Sequence, residues 1–260
     1  MKTEDLFPEN EKPLDRLCTD GGFAKIFRRI ACVGDSLSSG EFQARTESGD
    51  WSYHDFYEHS WGQYLARTCG SFVRNFSRGG MTASEYCEGY ADHEGFWDAG
   101  KACDAYIVAL GVNDLLNYNQ ELGSVSDICQ EDWRRNKKTF AGYYGQILQR
   151  YREIQPRARF FLVTMPSGSE DRESQTKLLQ HAELLADLSK LFPNTYVIDL
   201  FRYAPVYDDA FRKKFYLNGH MNPAGYVLTA QMIASYIDWI VRRNMEAFAD
   251  VGFIGTNLHG

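Results

Sequence analysis

Four short blocks carry the residues whose types and spacing suit chemistry on a carbonyl group. The first, Gly34-Asp35-Ser36-Leu37, sets a serine among small residues directly after the apolar run Ile30 to Val33. A turn there exposes the hydroxyl beside helix N-terminal amides, which suits a nucleophile whose intermediate carries negative charge. A glycine-containing turn after a first strand could equally hold a phosphate. Against that, neither GxGxxG nor GxxxxGK followed by Ser or Thr occurs, and there is no GxSxG elbow. The second block, Gly79-Gly80-Met81-Thr82, and the third, Gly111-Val112-Asn113-Asp114, follow further apolar runs. A glycine amide and an asparagine side chain are the donors an oxyanion hole uses, although each alone is also ordinary turn or capping chemistry. The fourth, Asn218-Gly219-His220-Met221-Asn222-Pro223, puts a histidine on a loop ahead of a long helical pattern, where it can serve as general base.

The remaining histidines, His54, His59, His93, His181 and His259, lie in polar or helical surroundings and read as solvated surface groups. His54 and His59 lack HExxH spacing and a third ligand, so no metal site is expected, and no organic cofactor is called for. The cysteines, six in all, occur singly without a CxxC pair, which fits reduced and mostly buried thiols.

The elements that must position these blocks are legible as alternating runs. Ile30 to Val33, Phe72 to Phe76, Ala105 to Leu110, Arg159 to Val163 and Tyr196 to Leu200 read as buried parallel strands. Ser60 to Cys69, Asp132 to Ile154, Glu173 to Leu191 and Pro223 to Arg243 have helical spacing. Strand and helix in alternation imply a three-layer α/β fold with its site outside the carboxyl ends of the strands. The chain, 260 residues long, is expected to be one domain over 1–260 with insertions at about 41–59 and 117–131, each a wall over the site or a plain surface loop. The first insertion carries Trp51, Tyr53 and Tyr57, whose rings could face a sugar or planar acyl group or form a second hydrophobic cluster.

With 44% hydrophobic and 24% charged residues the composition is that of a globular protein. A net charge of −7 argues against nucleic acid or an anionic membrane as partner. The acidic start MKTEDLFPENEKPLDRLCTD lacks the apolar run of a secretory signal, and no stretch is long enough to span a membrane, so a cytoplasmic location is expected.

Taken together and in order, Gly34-Asp35-Ser36-Leu37, Gly80 within Gly-Met-Thr, Gly111-Val-Asn113-Asp114 and His220 followed by Asn222-Pro-x-Gly225-Tyr226 resemble the SGNH, or GDSL-type, hydrolase superfamily. The resemblance spans residues ~28 to 240 and implies a flavodoxin-like sheet of five parallel strands in the order 2-1-3-4-5. It implies Ser36 as nucleophile, His220 as base, and an oxyanion held by the Ser36 and Gly80 amides and the Asn113 side chain. One departure stands out. The family usually has an aspartate three residues before the histidine, and here that position is Leu217. A backbone carbonyl near Leu217, the Asn218 side chain, or a distant Asp199, Asp208 or Asp209 could orient the imidazole instead. The expectation is a Ser36–His220 dyad with a main-chain oxygen on Nδ1. The implied reaction is serine-dependent hydrolysis of a small ester, an O-acetylated carbohydrate being one candidate. The alternatives are a non-catalytic protein that holds a carboxylate or sugar in the same pocket, and, less in keeping with the motifs, a phosphate-ester hydrolase built on Asp35 and Asp114.

Overall fold

The computed structural model describes residues 6–168 and 171–259; the first five residues of the acidic N-terminal stretch lie outside the described residues. Among the described residues nine strands run in chain order, β1 Arg29–Gly34, β2 Glu41–Arg45, β3 Trp51–Asp55, β4 Phe72–Ser77, β5 Ala105–Ala109, β6 Arg159–Val163, β7 Thr195–Ile198, β8 Tyr216–Leu217 and β9 His220–Met221. Five of them form one sheet in the order β4-β1-β5-β6-β7, and each pairing is parallel. Counted among themselves these strands run 2-1-3-4-5, the order expected from the resemblance. The helices that matter for the site are α1 Ser36–Ser39, α2 Trp61–Cys69, α3 Phe140–Ile154, α4 Arg172–Leu191 and α5 Pro223–Arg243.

Alternation along each strand sorts the core into two layers. From β1, Ala31 and Val33 enter one layer while Ile30 and Cys32 enter the other. From β6, Phe160 and Leu162 join the first and Phe161 and Val163 the second. Helices α3 and α4 close the first face with Tyr144, Ile147, Tyr151, Leu185 and Leu188. Helices α2 and α5 close the second with Trp61, Leu65, Ile233, Ile237 and Val241. Each fully buried side chain of this size stabilises by about 1.5–3 kcal/mol, which is what fixes the register of strands that are apolar on both faces.

Side-chain caps set the helix starts. Ser60 accepts from the Gln63 amide at 3.2 Å to begin α2, and Asn222 accepts from the Gly225 amide at 2.9 Å to begin α5 with Pro223 in its first turn. The helix expected from Asp132 begins only at Phe140. Thr139 caps it through the Gly142 amide at 3.2 Å, and Trp133–Arg135 is a separate 3-10 turn begun by Asp132. Helical spacing had run through a cap that resets the chain.

The first insertion is an antiparallel hairpin, β2 with β3, outside the main sheet. The second is irregular apart from the single turn Val125–Asp127. All six thiols are unpaired, Cys32, Cys69, Cys87 and Cys103 buried and Cys18 and Cys129 half-buried. No helix among the described residues is long and apolar enough to cross a membrane.

Candidate active site

Three of the four blocks are assembled by the register of the central strands. Gly34 at the end of β1 stands between Ser77 of β4 and Ala109 of β5. The turns that leave this row therefore start side by side, and one begins with Ser36, one contains Gly80 and one contains Asn113. Asp35 caps α1 by accepting from the Leu37 amide at 3.1 Å. Ser36 is the first residue of that helix, so its N–H has no acceptor within the helix. Ser36 is largely buried, with 9% of its surface exposed.

On the neighbouring turn the Arg78 amide donates to Gly34 O at 3.4 Å and the Met81 amide to Arg78 O at 3.2 Å. Gly80 takes a φ of 72° in this turn, and a Cβ built there would meet nothing within 4 Å. The open space beside its amide and the left-handed backbone both favour glycine. Asn113 is locked to the same turn, since its Nδ2 donates to Met81 O at 3.0 Å while its Oδ1 accepts from Asn117 Nδ2 at 2.8 Å. That pair fixes the amide orientation and leaves one Nδ2 hydrogen uncommitted. Asp114 beside it accepts from the Ala83 amide at 2.8 Å, tying the two turns together a second time.

His220 arrives from a different part of the chain. It lies on the β8–β9 hairpin, opposite Leu217, with Asn218 at the turn in the left-handed region, φ 60°. The first insertion holds this hairpin and the start of α5. Asn218 Nδ2 donates to Gln43 O at 2.9 Å, the Gly219 amide to Gln43 Oε1 at 2.6 Å, and Tyr226 OH to Glu41 O at 2.6 Å. Helix α1 packs against β9, which brings the serine and histidine blocks to one edge of the sheet.

The environment of the imidazole differs from the expectation. His220 Nδ1 is buried and has no hydrogen-bond partner among the described residues, so no main-chain oxygen holds it. Nε2 instead lies 2.9 Å from Glu41 Oε1, with only 17% and 12% of the two side chains exposed. None of the acids considered from sequence takes this place. Leu217 is half exposed, and Asp199 is engaged by Arg202 at 2.6 Å. Asp208 caps the helical turn that follows it by accepting from the Phe211 amide at 2.8 Å, and Asp209 is the first residue of that turn. Leu217, paired directly with His220, has no acid to offer, and the group that meets the imidazole comes instead from the first residue of the insertion hairpin.

Glu41 also meets the second block, for a Cβ on Gly79 would collide with Glu41 Oε2. Opposite Glu41 on the hairpin is Asp55, whose Oδ1 accepts from Ser39 Oγ at 2.5 Å. Burial, reinforced by the Asp55 carboxylate, raises the Glu41 pKa. Burial lowers that of His220, and Asp55 opposes the shift. Burial pushes the Asp35 carboxyl up to about 7, against the Leu37 N–H that favours its anion, and raises Asp114 to about 6.

Of the three aromatics singled out, Tyr53 stands with its ring 6.0 Å from the His220 imidazole, edge to face. Tyr57 is turned to the sheet, donating to Val73 O at 3.3 Å, and Trp51 lies under the Arg45 guanidinium at 3.8 Å. The structure brings Tyr53 to the site but ties the other two elsewhere. His181, read as a surface group, is fully buried. Its Nε2 lies 3.1 Å from Leu110 O and its Nδ1 3.4 Å from the Met165 amide, and burial lowers its pKa to about 4. The other four histidines are exposed, as expected.

Beneath the serine turn lies a cavity of about 150 Å³. Its wall includes Asp35, Leu37 and Ser38, which flank Ser36, and otherwise is mainly apolar, with Trp61, Leu110, Leu116, Val163, Met165, Met221 and Ile233.

Comparison with known proteins gives the family. Residues 32–228 match the GDSL-like Lipase/Acylhydrolase family. No curated protein sequence matches. Among solved structures, a protein from Lactobacillus plantarum is similar with a TM-score of 0.62 at 18% identity, covering 82% of this chain and 97% of that one. A family two carbohydrate esterase from Clostridium thermocellum, in complex with cellohexaose, is similar with a TM-score of 0.56 at 14% identity over 85% of this chain and 65% of that one. A protein assigned to the G-D-S-L lipolytic family from Desulfitobacterium hafniense is similar with a TM-score of 0.52 at 16% identity, over 80% and 99%. These likenesses are to the fold described above. With the family match covering most of the chain, including all four motif blocks, this protein belongs to the GDSL-like lipase/acylhydrolase family and is an esterase of the SGNH type.

Proposed function

We propose that the protein hydrolyses a small carboxylic ester through an acyl-enzyme on Ser36. Ser36 Oγ attacks the carbonyl carbon and its proton passes to the His220 imidazole, while the carbonyl π pair moves onto oxygen. The Ser36 and Gly80 amides and the free Asn113 Nδ2 hydrogen stabilise that oxyanion. Collapse breaks the ester C–O bond, and the alcohol leaves with the proton from His220. Water then repeats the cycle on the acyl-enzyme, with His220 taking its proton, and releases the acid.

The observation that carries this reading is the common row of Ser77, Gly34 and Ala109, from which the three donor-bearing turns leave side by side. The cavity walled by the residues flanking Ser36 suits the acyl group. An apolar cavity of about 150 Å³ holds a group the size of a benzene ring, so acyl chains from acetyl to about six carbons fit. On the other side Tyr53, with 56% of its surface exposed, offers a ring face for the alcohol, which suits a sugar or an aryl group.

The test is a panel of p-nitrophenyl esters of increasing acyl length together with O-acetylated sugars. Turnover that disappears in Ser36→Ala supports the reading. Binding of acids or sugars without turnover and without covalent labelling would favour the non-catalytic alternative.

A further inference from the structure

We infer that His181, which the mechanism above does not use, is a positioning residue for the oxyanion donor Asn113. From the middle of α4 its imidazole pins the main chain where β5 turns toward Asn113 to the main chain just beyond β6. This inference rests on the Asn113 role proposed above.

The clamp is made of two hydrogen bonds to main chain. His181 is fully buried, and its Nε2 lies 3.1 Å from Leu110 O, the last carbonyl before the block Gly111-Val112-Asn113-Asp114. Its Nδ1 accepts from the Met165 amide at 3.4 Å. A nitrogen that accepts carries no proton, so the hydrogen of the neutral ring sits on Nε2 and donates to Leu110 O. One tautomer thus serves both strand ends, and a charged ring would forfeit the Met165 bond.

The ring also fills a space that the oxyanion block leaves open. A Cβ on Gly111 would fall 2.7 Å from Nε2, and Gly111 takes a φ of 138°, which a side chain disfavours. The Phe140 ring stands against the imidazole with centroids 5.6 Å apart. Gly111 leads into the turn Val112–Asn117, and the Leu115 amide donates back to Gly111 O at 2.9 Å. Asn113 inside that turn is therefore held by two contacts of different origin. His181 fixes the chain that enters the turn, and Met81 O takes one hydrogen of the Asn113 amide at 3.0 Å. Moving the entering chain by about 1 Å would carry the remaining Nδ2 hydrogen away from the oxyanion, a misplacement of the size that costs about 10²-fold in rate.

Leu110, Met165 and Leu178, all beside the imidazole, line the acyl cavity as well. Damage to the cavity alone would appear in KM, whereas damage carried through Asn113 appears in kcat.

His181→Phe keeps a ring and removes both bonds, while His181→Gln keeps an N–H donor for Leu110 O. Each is compared with the wild type on a p-nitrophenyl ester, alone and combined with Asn113→Ala, after denaturant unfolding has given the folded fraction. His181→Phe is expected to lower kcat by about 10- to 100-fold with KM within about threefold, and His181→Gln to recover most of that loss. In the Asn113→Ala background His181→Phe should cost less than about threefold, because the donor it positions is gone. By nitrogen NMR the His181 ring of the wild type should be neutral at pH 7 with its proton on Nε2, a readout that needs neither activity nor a folded variant. Additive losses, a folded His181→Phe enzyme with the wild-type kcat, or a ring that is charged or protonated on Nδ1 would each overturn the inference, and the ring alone decides if His181→Phe does not fold. If Asn113→Ala itself leaves kcat unchanged, the oxyanion role of Asn113 fails and this inference falls with it.

Discussion

Glu41 and Gly79 share one space: the carboxylate that reaches the His220 imidazole at 2.9 Å lies where a side chain on Gly79 would begin. The hairpin that carries Glu41 and the turn that carries Gly79 and Gly80 are thus fitted to each other through a missing methyl group. Gly79→Ala should push the carboxylate off the imidazole and lower the His220 pKa, because the imidazolium loses a neighbouring anion. In a Glu41→Ala background the same substitution should leave that pKa unchanged, because nothing is left to displace. A double-mutant cycle on the His220 pKa, followed by NMR, reads this coupling, and additive effects would show that the two residues act separately.

Asn113 is expected to act in the transition state. Replacement by alanine should reduce kcat by about 10² to 10³-fold with little change in KM, the usual loss for one oxyanion donor. It also removes the 3.0 Å bond to Met81 O, so denaturant unfolding should show about 1 kcal/mol less stability. A change confined to KM would assign Asn113 to ground-state binding.

The cavity sets an acyl-length limit that can be narrowed from its rim. Leu116 lines it and is only half-buried, so Leu116→Phe fills space at small cost to the fold. The variant should lose at least tenfold in kcat/KM on a hexanoyl ester while an acetyl ester changes less than threefold. Equal losses on both esters would place the acyl group elsewhere.

How much of this could be read from the chain depended on whether each signal was local. Ser36, Gly80 and Asn113 follow apolar runs directly, so a strand reading and the residues just past its end locate them together. His220 stands before a Pro-started helix, again within a few residues. Glu41 gave no such signal. It is the first residue of a stretch dense in charge and aromatics, and only the docking of β2 against the His220 hairpin through Gln43, and against α5 through Tyr226, aims it at the imidazole. His181 was misread although a signal existed. Leu178, His181, Leu185 and Leu188 recur at spacings of three and four, the stripe by which α4 meets the core, and polar neighbours on the other face masked it.

That buried histidine should give the fold a pH dependence of predictable sign. Its folded pKa of about 4 lies below the 6.5 of the free side chain, so between these values the unfolded chain binds more protons. The stabilisation is complete above 6.5 and is lost as pH falls toward 4, amounting to about 3 kcal/mol at most. Asp35 and Asp114, whose pKa values are raised to about 7 and 6, act in the opposite sense, so wild type must be compared with His181→Gln. Urea melts from pH 7 to 4 should show the difference in stability between the two shrinking. A constant difference would mean that His181 does not titrate on unfolding.

The central claim, that Ser36 becomes acylated, is tested most directly by treating the protein with a fluorophosphonate and locating the adduct by peptide mass spectrometry. The account predicts one adduct, on the peptide containing Ser36, formed in step with the loss of ester hydrolysis and absent from Ser36→Ala. Hydrolysis that survives in Ser36→Ala, or inactivation with the adduct on another residue, would contradict it.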